Sequence, residues 1–144
     1  MIEKMKEGQL DRVMDIWLQT NILAHPFIPR EHWGNLFDTV KDILPSADIF
    51  IYRDNDEIKG FIGITDNQYI AGLFVSSEHQ GQRVGYQLLQ HCKQIYPHLE
   101  LHVFIKNDGA VKFYEKNQFA ISESKMNLDF NHEEYRMGWS AGQP

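Results

Sequence analysis

The stretch Val75-Ser76-Ser77-Glu78-His79-Gln80-Gly81-Gln82-Arg83-Val84-Gly85-Tyr86-Gln87-Leu88-Leu89 constrains this chain more than any other. An apolar strand runs through a polar, glycine-bearing turn straight into an amphipathic helix, so helix must pack on sheet. Gly81 and Gly85 let the backbone approach a ligand with no Cβ in the way. The unpaired N–H groups that open the helix point at whatever sits there, and a phosphate fits such a nest. The plainer alternative is a tight strand-to-helix connection.

The rest of the chain reads as one mixed α/β domain over residues 1–144. Ile2 to Lys6 is a short strand, and Leu10, Val13, Met14 and Trp17 recur at helical spacing through Leu23. Pro26 and Pro29 break that helix, and a second runs from Arg30 to Leu44 before Pro45. Ala47 to Arg53 and Ile58 to Thr65 are strands joined through Asp54-Asn55-Asp56, a turn longer than the tightest two-residue kind. Ile70 to Val75 is the next strand. The helix after the glycine turn carries an apolar stripe of Val84, Leu88, Leu89, Cys92 and Ile95, ending before Pro97. Leu99, Leu101, Val103 and Ile105 alternate with Glu100, His102 and Phe104, the cleanest period-two run in the chain. A helix over Gly109 to Asn117 follows, then strands Phe119 to Leu128 and Glu134 to Trp139, with Ser140 to Pro144 expected to fray.

A second segment reinforces the first. Asn107-Asp108-Gly109-Ala110-Val111-Lys112-Phe113-Tyr114 leaves a strand, turns and starts a helix that ends near Phe119. Together the patterns Val-x-x-x-x-Gln-x-x-x-x-Gly-x-x-Leu-Leu and Asn-x-x-Ala-x-x-Phe-Tyr-x-x-x-x-Phe resemble the GNAT acetyltransferase family, over nearly the whole chain in element order. Two positions depart from the family pattern: Arg83 stands where its first glycine is expected, and Gln118-Phe119 replaces the usual Gly-Phe. The Arg83 guanidinium is itself a donor fork suited to a phosphate oxygen.

The resemblance implies a mostly antiparallel central sheet with a V-shaped splay, flanked by four helices. It implies acetyl-CoA as co-substrate, with Gln80, Gly81, Gln82, Arg83, Val84, Gly85 and Tyr86 on the pyrophosphate. Leu73, Phe74 and Val75 then face the pantetheine arm and thioester, and Asn107 and Phe113 also touch the cofactor. Tyr114 is implied as the general acid that protonates the departing thiolate, where helix packing is its alternative role. The acceptor pocket falls to His25, Phe27, Trp33 and Tyr69. No residue stands out as general base: Tyr69 is a poor one unless its pKa is lowered, His25 and His102 are candidates, and a bound water is another. The implied reaction is direct acetyl transfer to a primary amine of a small molecule or peptide. A non-catalytic acyl-CoA-binding regulatory module of the same fold is the second reading.

Composition narrows the partners. A net charge of −6 disfavours nucleic acid and anionic membranes and suits a cationic amine. The one cysteine, Cys92, lies on an apolar helix face and is expected in the core, which points to a reducing cytoplasm and away from a covalent intermediate. The N-terminus carries no apolar leader and no later run is long enough to span a bilayer. The seven histidines lack a His-Glu-x-x-His or Cys-x-x-Cys spacing, so no metal is expected. Pairing of strands near Glu134 to Trp139 in a homodimer is a further expectation.

Overall fold

The fold was analysed in a computed structural model that describes residues 1–142. In chain order the elements are β1 (Ile2–Lys4), α1 (Leu10–Ala24), α2 (Arg30–Ile43), β2 (Asp48–Asp54), β3 (Glu57–Thr65), β4 (Tyr69–Val75), α3 (Val84–Ile95), β5 (His98–Phe104), α4 (Asp108–Lys116), β6 (Ala120–Asn127) and β7 (His132–Ser140). The strands make one sheet in the order β1-β2-β3-β4-β5-β7-β6, antiparallel throughout except at β4–β5. The mixed, mostly antiparallel α/β architecture with four helices follows the sequence expectation. No helix of the described residues is long and apolar enough to cross a membrane.

Both sheet faces are covered, because alternate residues of each strand send side chains to opposite layers. On one face Leu88, Leu89 and Cys92 of α3 pack with Ile62, Ile64, Leu99, Leu101 and Met137, all at most 2% exposed. Burial of a leucine such as Leu88 contributes about 1.5–3 kcal/mol. On the other face Val13, Met14, Ile16 and Trp17 of α1 meet Ile49, Ile51 and Phe61, with Trp33 of α2 closing the layer. Within α1 the polar Thr20 and Asn21 are buried, and both satisfy themselves locally: Thr20 Oγ1 donates to Ile16 O and Asn21 Nδ2 to Trp17 O, at 2.5 and 2.9 Å.

Several boundaries differ from expectation. The β2–β3 connection is a two-residue turn, Asn55-Asp56, because Asn55 adopts a left-handed φ of 56° that closes the hairpin one residue sooner. Ile95 is 49% exposed, and Tyr96 takes the buried position at the end of α3. Ser140 does not fray: it ends β7 opposite His98, and the next residue, Ala141, donates its N–H to Pro97 O at 2.8 Å. The expected fraying at Gln143 and Pro144 lies outside the described residues. Strand β7 is not an edge either. It sits between β5 and β6, so its backbone groups are taken and the sheet's free edges are β1 and β6. The strand expected at Glu134 to Trp139 therefore cannot pair across a dimer.

Gly60 of β3 lies opposite Val75, where the chain leaves β4 for α3. A Cβ there would stand 2.7 Å from the Phe74 carbonyl oxygen and 3.2 Å from Val84 Cγ1, so only glycine lets these three segments close up. Gly34, in the middle of α2, faces open space. Urea denaturation is expected to show Gly60→Ala losing roughly 1–3 kcal/mol through overpacking. Gly34→Ala should gain about 0.5–1 kcal/mol by the ordinary helix preference, and a shift of the same sign in both variants would contradict the assignment.

Candidate active site

Strands β4 and β5 run parallel but pair at one position, Tyr69 with Glu100, where Glu100 N–H also donates to Gln68 O at 2.8 Å. Beyond it they part. Strand β4 follows β3 through an irregularity at Gly63/Ile64, which bends and twists the strand pair, whereas β5 keeps unbroken register with β7. The inner edges of Leu73, Phe74 and Val75 on one side and Leu101 to Phe104 on the other are left without partners across the gap. This is a V-shaped splay whose wall is a free strand edge, the form of backbone that binds extended amide chains.

One cleft of about 670 Å³ lies at the mouth of the V. It is lined by Val75, Gln80, Gly81, Arg83, Val84, Gly85, Tyr86 and Phe113, together with His79, Lys116 and Asn117. The loop is shaped by two left-handed residues, Gly81 at φ 81° and Arg83 at φ 65°. Arg83 thus holds at the N-cap of α3 the backbone conformation that glycine adopts most readily, a cost of roughly 1–2 kcal/mol for a side-chain-bearing residue. Its guanidinium lies 4.3 Å from the centre of the Tyr86 ring, a cation–π contact that returns about 0.5–1 kcal/mol at an exposed site. No side chain caps α3, and its first internal bond is Gln87 N–H to Arg83 O, so the preceding N–H groups remain free for an anion. Open space where a Gly81 Cβ would project, with Arg83 and Lys116 alongside, fits a pyrophosphate. Gln80 stays at the rim and ties the loop back through Nε2 to Val75 O at 3.1 Å. Gln82 belongs to the loop but does not line the cleft.

A second cavity of about 260 Å³ fills the V between the strands. It brings together His25, Trp33, Tyr69, Leu73, Phe74, Asn107 and Tyr114. Phe27 does not line it. Its ring packs edge-on against His25, Phe104 and His132 and supports the wall from behind. Tyr114 is 7% exposed, and burial, with the nearby Tyr69, raises its pKa well above the ordinary phenol value. Its hydroxyl is therefore a proton donor at any physiological pH. Tyr69 Oη lies 2.8 Å from His102 Nδ1, and burial and then the charge of Glu134 raise the Tyr69 pKa. Asn107 caps α4 by accepting the Ala110 N–H at 3.3 Å, and its Nδ2 lies 3.2 Å from His25 Nε2. Cys92 is fully buried, and burial pushes its thiol up to about 12, which removes the thiolate a covalent route would need.

His25 is tied at both ring nitrogens. Nδ1 lies 3.0 Å from Asn21 O and donates to it, leaving Nε2 to accept from Asn107. That assigns a neutral ring that staples the end of α1 to the start of α4. Residues that sequence reasoning did not place at these sites include His79, Lys116 and Asn117 in the first cleft, and Glu134, Asn127 and Phe130 in the second. Their positions depend on helix and strand neighbours distant in sequence. Among the described residues no group of three or more His, Cys, Asp or Glu side chains is placed to hold a metal ion.

An uncapped helix N-terminus, a free strand edge and a protonated phenol in one V are the features of an acyl-CoA-dependent transferase. The chain belongs to the acetyltransferase (GNAT) family, which matches residues 10–119, and it is an acetyl-CoA-dependent acyltransferase. It is 27% identical to the peptidyl-lysine N-acetyltransferase YiaC of Escherichia coli strain K12 over 144 residues, covering 99% of each chain. The fold matches the solution structure of apo YjaB from Escherichia coli with a TM-score of 0.85, 24% identity and coverage of 99% and 98%. It also matches the PaiA N-acetyltransferase of Thermoplasma acidophilum in complex with coenzyme A, with a TM-score of 0.82, 16% identity and coverage of 97% and 98%.

The neutral His25 gives a pH signature. Burial lowers its pKa from 6.5, so the unfolded chain binds the proton more readily than the folded one. Its contribution is complete above about pH 6.5 and is lost as pH falls toward the folded value. Thermal melts are expected to drop as pH falls from about 7 to 5, with a shallower slope in His25→Gln. An equal slope in both proteins would assign the acid loss to other groups.

Proposed function

We propose that this protein is an N-acetyltransferase that moves acetyl from acetyl-CoA directly to a primary amine of a small molecule or peptide in a reducing, cytoplasmic setting. The observation that carries the reading is the β4 edge opening onto the uncapped N-terminus of α3, with the protonated Tyr114 inside the same V. The peptidyl-lysine activity named for YiaC favours a lysine side chain as acceptor.

Acetyl-CoA supplies the activated acetyl group. The residues that would hold it are the backbone of Gln80 to Tyr86 for the pyrophosphate, with Arg83 and Lys116 as charge partners. Leu73, Phe74 and Val75 offer strand-edge N–H and C=O groups to the arm, and Phe113 packs against the start of α3 on the far side. Tyr114 Oη keeps the proton that the leaving sulfur requires. Burial serves this by holding the phenol neutral and by excluding water from the same point. The buried, protonated Cys92 makes direct attack by a neutral amine the simpler route.

Thiol release from acetyl-CoA against a panel of primary amines and lysine peptides tests the proposal, with coenzyme A binding followed by calorimetry. Tyr114→Phe is expected to lower kcat by about 10²-fold or more while coenzyme A affinity changes little. Cys92→Ala is expected to keep turnover. An acetylated protein intermediate that disappears together with activity in that variant would reverse the assignment of direct transfer.

A further inference from the structure

The cavity between β4 and β5 is lined by one carboxylate, Glu134, and by no lysine or arginine. Glu134 is half-buried on β7, directly opposite Phe104 of β5. Among the described residues it joins no ion pair within 4.0 Å. Its neighbours are otherwise engaged. Glu100 accepts from Arg136 at 2.8 Å, and Lys125, which faces Glu134 across the β6–β7 register, is exposed and does not close to ion-pair distance. The other wall is aromatic: Trp33 and Phe130 stack at 5.1 Å, and Phe104 meets Phe130 edge-on at 5.6 Å. A half-buried carboxylate without a partner at the end of an aromatic slot favours a cation on an apolar stem.

Beside it, Tyr69 and His102 form a hydrogen-bonded pair. With the phenol protonated, Tyr69 Oη donates to His102 Nδ1, so the imidazole stands behind the phenol as a proton acceptor. Glu134, His102 and Tyr69 all line the same cavity, so a carboxylate, an imidazole and a hydroxyl open on one space.

We propose that Glu134 anchors the acceptor as an ammonium on a flexible aliphatic stem, and that the Tyr69–His102 pair takes its proton before attack. This rests on the N-acetyltransferase reading above. In the step, one ammonium N–H bond breaks and its electrons remain on nitrogen as the lone pair. The proton bonds to Tyr69 Oη while the proton of Tyr69 passes to His102 Nδ1, leaving an imidazolium that later releases the proton to solvent. No other bond changes. His102 meets Tyr69 of β4 and lies opposite Arg136 of β7, the charges acting on Tyr69 are Glu134, Glu100 and Arg136, Glu123 of β6 acts on Arg136, and Tyr69 in turn acts on Tyr114 of α4. Glu134 is the carboxylate among them without a cation at hand, so its part is to hold the ammonium.

The test measures kcat and KM against pH for the full chain, saturated with acetyl-CoA, with two acceptors. One is lysine amide acetylated at its α-amine, which is cationic near neutral pH; the other is hydroxylamine, which is neutral there. Glu134→Gln is expected to raise KM for the lysine probe about tenfold or more with kcat nearly kept, so that preference for lysine over hydroxylamine falls by the same factor. Glu134→Asp should fall between the two and keeps the test open if the amide variant folds poorly. Tyr69→Phe and His102→Gln are expected to lower kcat for the lysine probe by about 10²-fold and to remove the rising limb that the pair gives the kcat/KM profile. Activity would then follow the amine's own ionisation near about pH 10. An unchanged acceptor preference in both Glu134 variants overturns the anchor, and an unchanged rising limb in Tyr69→Phe and His102→Gln overturns the relay. Parent protein that acetylates hydroxylamine but not the lysine probe overturns this inference alone. No turnover with either amine removes the transferase reading and the inference together.

Discussion

Everything at this site depends on the sheet pairing once and then separating between β4 and β5. Backbone groups on an interior strand are ordinarily consumed by the ladder, and leaving them unpaired in a dry interior costs free energy. Here the single Tyr69–Glu100 pair fixes the vertex, and the irregularity at Gly63/Ile64 lets β4 follow β3 away from β5. The resulting unpaired edge is tolerable because it faces a cavity that solvent or an extended ligand can fill. Gly60 belongs to the same constraint, since the absence of its Cβ lets β3, the end of β4 and the start of α3 meet. The anion nest and the free edge are therefore consequences of one geometry.

The strand-to-helix loop shows how a departure from a sequence pattern can leave backbone shape intact. Glycine is favoured at a left-handed position because it lacks a Cβ, and Arg83 occupies such a position with φ 65° and ψ 18°. The contact of its guanidinium with Tyr86, one turn into α3, offsets part of the strain and keeps the charge beside the helix N-terminus. An arginine here contributes a positive group to the cleft that glycine cannot. The sequence raised the departure, while the turn itself is visible only in the backbone.

Element order was legible throughout, because strong helical and period-two patterns in segments such as Leu10 to Leu23 and Leu99 to Ile105 have one reading each. Boundaries were less so where a single residue's backbone decides them, as with Asn55 in the β2–β3 turn. At the site, the first cleft was readable because most of its lining is contiguous, from Gln80 to Tyr86. The second was not. Glu134 reaches the cavity only because β7 inserts between β5 and β6, a non-local choice that no periodicity records. Phe27 illustrates the converse: apolar content in the His25-Pro26-Phe27-Ile28-Pro29 loop marked a pocket region but did not distinguish lining from support.

The two ends of the V differ in charge, although the chain as a whole carries −6. The outer cleft gathers Arg83 and Lys116 around free helix N–H groups, whereas the lining of the inner cavity has Glu134 and neither lysine nor arginine. Local fields of this kind act over roughly 8 Å at physiological salt, a distance shorter than the domain, so the two ends keep opposite local signs whatever the overall charge. Tyr114 lines the inner cavity with Glu134 and, kept neutral by burial, adds no charge of its own to either end.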